Sequence, residues 1–363
     1  MYSRYGSYIN ARQRLSKLGY HDRYNKVRFI GRDLIGGIHT LEDLYDFHDG
    51  DTISAYSASV VGQFEVAHQS SANTTQSLSG TWTVPSGVTS ISVLAIGGGG
   101  GAAATGSNRG GGGGSGGAMA WVNDVSVIPG QVYQYFVGGG GDGGYQLSQG
   151  GQNGQATYIG PAAGTQSYIT GYGGVFGRLG RTSSGTSFPT IQQNGGYTAG
   201  GLVGSWLGNA GQQAGVDYGG YDGGAGGAAR YNDAGGGGGG GPGYTGRGGT
   251  GAYGNQNTGG TSGQGGGGGG GNTASSFCRG GGGVGIYGIG ANGGVGGNGG
   301  SGGFGGNSGN GNSYGGLYGA GGGADDDDYS SATSGNGPGG AGALRIIWPG
   351  NERQWPGTRT ADE

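Results

Sequence analysis

Side chains able to do acid–base, nucleophilic or metal chemistry are few in this 363-residue chain, and they are poorly grouped. The four histidines, His21, His39, His48 and His68, lie within the first 68 residues without metal-ligand spacing. His48-Asp49-Gly50-Asp51 reads as a solvated helix end rather than a cation site. Cys278 is the one cysteine, which excludes an intramolecular disulfide framework and a cysteine-based structural zinc site. No base stands beside it in Ser275-Ser276-Phe277-Cys278-Arg279, so it reads as packed rather than reactive. Asp325, Asp326, Asp327 and Asp328 form the sharpest charge feature. A hard cation such as Ca²⁺ would relieve their mutual repulsion, and an exposed acidic loop that favours solubility explains the same run, so no metal is assigned. No nucleophile–base–acid set can be assembled. The expectation is a protein that is not an enzyme and needs no cofactor.

Phosphate and nucleic-acid chemistry fare no better. Lys17 and Lys26 are the only lysines, so a Gly-Lys-Ser/Thr phosphate loop is absent. Gly-x-Gly-x-x-Gly patterns recur, but the composition of residues 97–342 alone generates roughly fifteen, and none sits in a strand-to-helix unit. Arg-Gly-Gly at Arg109, Arg247 and Arg279 is a motif that can hold single strands. Residues 97–342 nevertheless carry six Arg against nine Asp and no Lys, a poor balance for binding a polyanion. No nucleic-acid partner is expected.

The elements that must carry any function are dominated by glycine. Of 109 glycines, 98 fall among the 246 residues of 97–342. The net charge of -3 and the 23 Tyr argue against an ordinary disordered chain, and runs such as 235–241 with only 8 Pro exclude a collagen repeat. One ordered solution is a left-handed helix of three residues per turn, whose backbone N–H and C=O groups point outward. Without side chains, such helices can approach and exchange lateral hydrogen bonds. A single glycine helix costs too much conformational entropy to persist, at about 1–2 kcal/mol per residue. Order therefore requires a bundle. Flexible linkers are the alternative, and the aromatic segments between the runs favour the bundle.

Five zones follow. Residues 1–51 are read as a docking segment with short helices: Ser7 and Thr40 are placed to cap, and Gly19 and Gly50 to terminate. Eight Arg and Lys, among them Arg12, Arg14, Lys17 and Arg28, face only Asp22 and Asp33 up to residue 33, and five acids follow by residue 51. Residues 52–79 read as a linker. Residues 80–138 and 343–348 read as a small β-sandwich: Thr81-Trp82-Thr83-Val84 and residues 91–96 flank the turn Pro85-Ser86-Gly87, residues 118–137 read as a hairpin about Pro129-Gly130, and Ala-Leu-Arg-Ile-Ile-Trp returns as a closing strand. Residues 139–342 are the glycine-rich domain, and 349–363 a C-terminal tail. The expected fold is thus mostly β and irregular, a small β-sandwich with a large inserted glycine-rich domain of packed polyglycine-II helices and a short helical N-terminal segment. No basic-then-apolar leader is present and no apolar run approaches the roughly 18 residues of a membrane span, so a soluble chain without membrane insertion is expected.

Trp82-Thr83-Val84-Pro85-Ser86-Gly87-Val88, then Ser90-Ile91-Ser92-Val93-Leu94-Ala95-Ile96 and a glycine run, resembles the opening of the glycine-rich domain of tailed-phage tail-fibre and adhesin proteins, a type common in marine and cyanobacterial phages. The segment 118–137, the motif Gly281-Gly282-Gly283-Val284-Gly285-Ile286-Tyr287-Gly288 and the closing Gly342-Ala343-Leu344-Arg345-Ile346-Ile347-Trp348 match that pattern in order. The resemblance implies a virion structural protein, assembled in the host cytoplasm and carried on the tail or another external surface of the particle. It implies docking to other virion proteins through the N-terminal segment, as a homotrimer or as a monomer on a trimeric fibre. It also implies loops that bind a host surface glycan or an outer-membrane protein. A purely architectural role, as a capsid decoration, neck or baseplate protein, is the alternative.

Tyr168, Tyr172, Phe176, Trp206, Tyr218 and Tyr221 fall in the least repetitive part of the block. Tyr and Trp beside Ser, Gly and Asn are the vocabulary of binding surfaces, so these six are the candidate receptor contacts. They serve equally as caps on a glycine bundle that has no other core. Ice binding would require a flat face of regularly spaced Thr or small residues, which the irregular runs do not provide.

Overall fold

A computed structural model describes residues 61–68, 75–103, 111–144, 150–161, 169–171, 218–227, 235–253, 260–264, 266–267, 269–270, 278–289, 313–324 and 337–357. The chain divides into Met1–Ala58 and Ser59–Glu363. The expected N-terminal helices lie outside the described residues, among which there is no α-helix.

Nine strands are present among the described residues: β1 Gly62–Ala67, β2 Leu78–Thr83, β3 Ser90–Ile96, β4 Met119–Ser126, β5 Val132–Val137, β6 Thr157–Pro161, β7 Ile169–Gly171, β8 Tyr218–Tyr221 and β9 Ala343–Trp348. They form two antiparallel sheets, ordered β1-β9-β3-β4-β8 and β2-β5-β6-β7. Period-two alternation decides what each face buries. Ile91, Val93 and Ala95 of β3, Ala120 and Val122 of β4, and Leu344, Ile346 and Trp348 of β9 meet Trp82, Tyr133, Val137 and Ile159 of the second sheet in one core. The opposite face of the five-stranded sheet is also buried. There Leu94, Ile96, Met119, Trp121 and Ile347 pack on Tyr244, Val284, Ile286 and Trp355. The C-terminal strand therefore returns to the interior of the first sheet, between β1 and β3, as its apolar run predicts.

Several expectations need correction. Residues 118–137 are not a hairpin, because β4 pairs with β3 and β8 while β5 pairs with β2 and β6. The turn at Ile128–Gln131, with Gly130 at φ 83, carries the chain across the core from one sheet to the other. Alternating apolar residues mark which face is buried, and here the two faces oppose one another instead of lying side by side. Residues 62–67, expected in a linker, form β1 on β9. β6, β7 and β8, expected within the glycine block, extend both sheets. Residues 349–357 are no free tail: Trp355 is buried, its backbone N–H and C=O both bonded to the Asn123 amide at 2.8 and 2.7 Å. Replacing Asn123 with alanine should cost about 1–3 kcal/mol by leaving those groups unpaired, read as a lower urea midpoint together with faster proteolysis after residue 349.

Beyond the strands, the glycine segments bond sideways with a repeat of three. The N–H groups of Gly97, Gly100 and Ala103 donate to Ala118, Ser115 and Gly112, those of Gly98 and Gly101 to Gln155 and Gln152, and those of Gly99 and Ala102 to Gly340 and Gly337, at 2.8 to 3.0 Å. Segment 97–103 thus donates to three neighbours, addressed in turn by successive residues, while its own carbonyls accept from Gly141, Gly144 and Gly322 of two more. Residues 236–241 do the same, with Gly236 and Gly239 donating to Gly111 and Gly114, Gly237 and Gly240 to Ala252 and Gly249, and Gly238 and Gly241 to Arg279 and Gly282. The contact is so close that side chains are excluded. A Cβ on Gly99 would stand 1.9 Å from the Ala320 carbonyl oxygen, and one on Gly114 2.0 Å from that of Gly100.

Candidate functional site

Two places in the described structure gather functional groups: the junction between the first sheet and the glycine segments, and the far end of those segments.

At the junction, β9 turns Arg345 toward the glycine side, where its side chain is fully buried. Its Nε stands 2.8 Å from Glu65 Oε1 on neighbouring β1. One terminal nitrogen donates to the Ile286 carbonyl at 3.1 Å and the other to Gln63 Oε1. The guanidinium lies 4.4 Å from the Tyr287 ring centroid and 5.7 Å from that of Trp355, and the Tyr287 hydroxyl donates to Glu65 Oε2 at 3.2 Å. One arginine thereby joins both outer strands of this edge, the glycine domain and the C-terminal segment. Around it, the Tyr244 hydroxyl donates to Gly285 O at 2.8 Å and the Tyr318 hydroxyl to His68 O at 3.2 Å. Burial pushes the Tyr244 phenol well above its ordinary range, against lesser opposing effects of a backbone hydrogen bond and Arg345. Burial, reinforced by the Glu65 charge, raises Tyr318. Both phenols stay protonated and act as donors. These contacts fasten β1, β9, the glycine segments and the C-terminal segment to one another.

Nothing in the sequence reading singled out this cluster. The available signal was one arginine inside an otherwise apolar strand, Ala-Leu-Arg-Ile-Ile-Trp, since a buried cation requires a partner.

At the far end, the glycine segments stop at a common level. Ala103 bonds to Gly112, Gly144 to Ala102, Ala102 to Gly337, Gly337 to Gly323, Ala324 to Gly236, Gly236 to Gly111, Gly227 to Gly237, and Ala252 to Gly270. The described chain accordingly leaves and re-enters at this end six times, after residues 103, 144, 227, 253, 270 and 324. Cys278 belongs to this end and is packed, its thiol donating to Gly235 O at 2.8 Å while its own carbonyl accepts from Ser313 Oγ.

The predicted contacts distribute unevenly over this frame. Tyr218 and Tyr221 begin and end β8, an edge strand of the first sheet, rather than sitting in a loop. Tyr221 is exposed, with its ring 6.1 Å from that of Trp121. Tyr168, Tyr172, Phe176 and Trp206 lie outside the described residues, in stretches bounded by β6, β7 and β8. These stretches are therefore entered from the sandwich, not from the far end of the glycine segments. Arg12, Arg14, Lys17 and Arg28 also lie outside the described residues, as do Asp325, Asp326, Asp327 and Asp328, which follow Ala324 at the far end. Among the described residues no three His, Cys, Asp or Glu side chains are grouped to hold a metal, and no helix is long and apolar enough to cross a membrane.

A family model described as a glycine-rich domain matches residues 73–304, well over half of the chain. No curated protein matches the sequence.

Proposed function

The chain belongs to the glycine-rich domain family, and we propose that it serves as a virion structural protein of a tailed phage, a tail-fibre or tail-tip adhesin in which a stiff glycine bundle displays connecting segments to the host surface. In this reading the glycine segments are polyglycine-II helices. Support comes from the threefold repeat of lateral hydrogen bonds, since a helix of three residues per turn sends successive N–H groups about 120° apart. The observation that carries the functional reading is the common level at which six segment pairs end. Rigid elements that deliver many chain connections to one end are the arrangement used by loop-based recognition scaffolds.

The tests separate display from docking. Deleting residues 1–51 should abolish incorporation into particles, and unchanged incorporation contradicts a docking role for Arg12, Arg14, Lys17 and Arg28. Shortening the far-end connection 325–336 to a brief Gly-Ser linker should lower host adsorption while assembly proceeds, and unchanged adsorption contradicts display from that end. Replacing Tyr168, Tyr172 and Trp206 together, in segments entered from the sandwich, should lower adsorption at least tenfold as a second receptor contact. Normal adsorption by such particles removes those residues from the receptor surface. If particles lacking the whole protein adsorb normally but break easily, the architectural reading as a decoration, neck or baseplate component replaces the adhesin.

A further inference from the structure

We propose that the outward face formed by β2, β5 and β6 in the four-stranded sheet is a binding surface for a neutral glycan. None of these strands carries Asp, Glu, Lys or Arg, whereas the five-stranded sheet holds Glu65, Asp124 and Arg345. Alternation places Trp82, Tyr133 and Ile159 in the core, so their strand neighbours face outward. One outward row runs across three strands, Ser79 opposite Phe136 and Phe136 opposite Tyr158. The next row sets Thr81 opposite Gln134. Phe136 and Tyr158 are stacked, with ring centroids 5.4 Å apart and planes 16° from parallel. Tyr158 remains 37% exposed, and Ser79, Thr81 and Gln134 are exposed as well. The two rows are about 7 Å apart along the strands, and the three strands together span about 10 Å, room for a short oligosaccharide.

The chemistry selects among ligands. Nucleic acid and anionic polysaccharide require cations, and β2, β5 and β6 carry none. A lipid surface or an apolar protein patch would strand the hydroxyls and the amide that interleave with the rings. A neutral sugar satisfies both halves, its C–H face stacking on the Tyr158 ring and its hydroxyls exchanging hydrogen bonds with Ser79, Thr81 and Gln134. This surface lies on the sandwich, away from the far end of the glycine segments, and stands or falls independently of display there.

The test is affinity electrophoresis of the full chain through gels containing mannan, dextran or galactomannan, with alginate as the anionic control. At least one neutral polysaccharide should retard the protein and alginate should not. Tyr158→Ala should weaken that retardation at least tenfold and Gln134→Ala about threefold, with Tyr158→Phe close to the parent and all three unfolding at the parent temperature. The proposal is overturned if no neutral gel retards the chain, if alginate retards it equally, or if Tyr158→Ala and Gln134→Ala migrate like the parent. It is also overturned if the parent is a dimer that Tyr158→Ala turns into a monomer, which would make the face an interface between copies.

Discussion

Replacing Gly99 with alanine is expected to lower stability by about 3 kcal/mol or more, at the upper end of what overpacking costs. The added Cβ would stand 1.9 Å from the Ala320 carbonyl oxygen, and that oxygen belongs to backbone accepting the Gly340 N–H at 2.7 Å. A flexible side chain could swing aside. A carbonyl fixed in a lateral ladder can retreat only by moving its whole segment, which disturbs every neighbour bonded to it, among them Gly100, Gly114, Gly239 and Gly281. The fall should appear as a melting temperature roughly 6–12 °C lower for a unit of this size. Gly114→Ala, whose Cβ would meet the Gly100 carbonyl at 2.0 Å, should match it. Combining the two should approach the whole stability of an ordinary domain, about 5–15 kcal/mol. Gly130→Ala is the informative contrast. Nothing lies within 4 Å of its Cβ, so only the left-handed φ of 83 opposes the change, at about 1–2 kcal/mol. Equal effects at all three positions would mean that close approach is not the reason for glycine here.

The second large effect is expected at Arg345. Removing one partner of a buried ion pair costs about 3–5 kcal/mol because the other is left uncompensated. Arg345→Met belongs near 3 kcal/mol, since the Glu65 side chain keeps 27% of its exposure and can recover some hydration. The substitution also strips the Ile286 carbonyl and Gln63 of their donor and removes the cation from the Tyr287 ring. Glu65→Gln combined with Arg345→Met should restore about half of the loss, as expected when much of the penalty is the stranded carboxylate. The comparison needs only urea midpoints of the four proteins. If Arg345→Met alone changes the midpoint little, the arginine is not what fastens β1 and the glycine domain to β9.

How much of this could be read from sequence depends on what side chains say about partners. The alternation in Ile91, Val93 and Ala95 against Leu94 and Ile96 marks β3 as a strand, and the apolar run ending at Trp348 marks a returning one. Alternation names the buried face and is silent on which strand lies alongside, so β4 and β5 pass for a hairpin although each pairs elsewhere. β1 is hidden in the sequence for a related reason. Gln63 and Glu65 look like solvent-facing positions of a linker, yet both point at a buried arginine more than 250 residues away. Trp355, a lone aromatic before Pro356, carries no periodic context that would reveal its packing on Tyr244. The glycine runs are the extreme case. A residue without a side chain has no pattern from which register can be derived, so their need for collective order is legible and their pairing is not. The candidate site divides likewise: the aromatic segments were visible by composition, whereas the neutral face of Ser79, Thr81, Gln134, Phe136 and Tyr158 exists only once β2, β5 and β6 are set side by side.

Native-state hydrogen exchange of the glycine amides tests the central claim, that the glycine block is an ordered bundle able to hold its connections in place. The amides of Gly97, Gly99, Gly238 and Gly240, all laterally bonded, should exchange only through global or near-global opening, as slowly as those of β3. Exchange of these glycines at the rate of an unstructured peptide, while β3 stays protected, would contradict the bundle and with it the display scaffold.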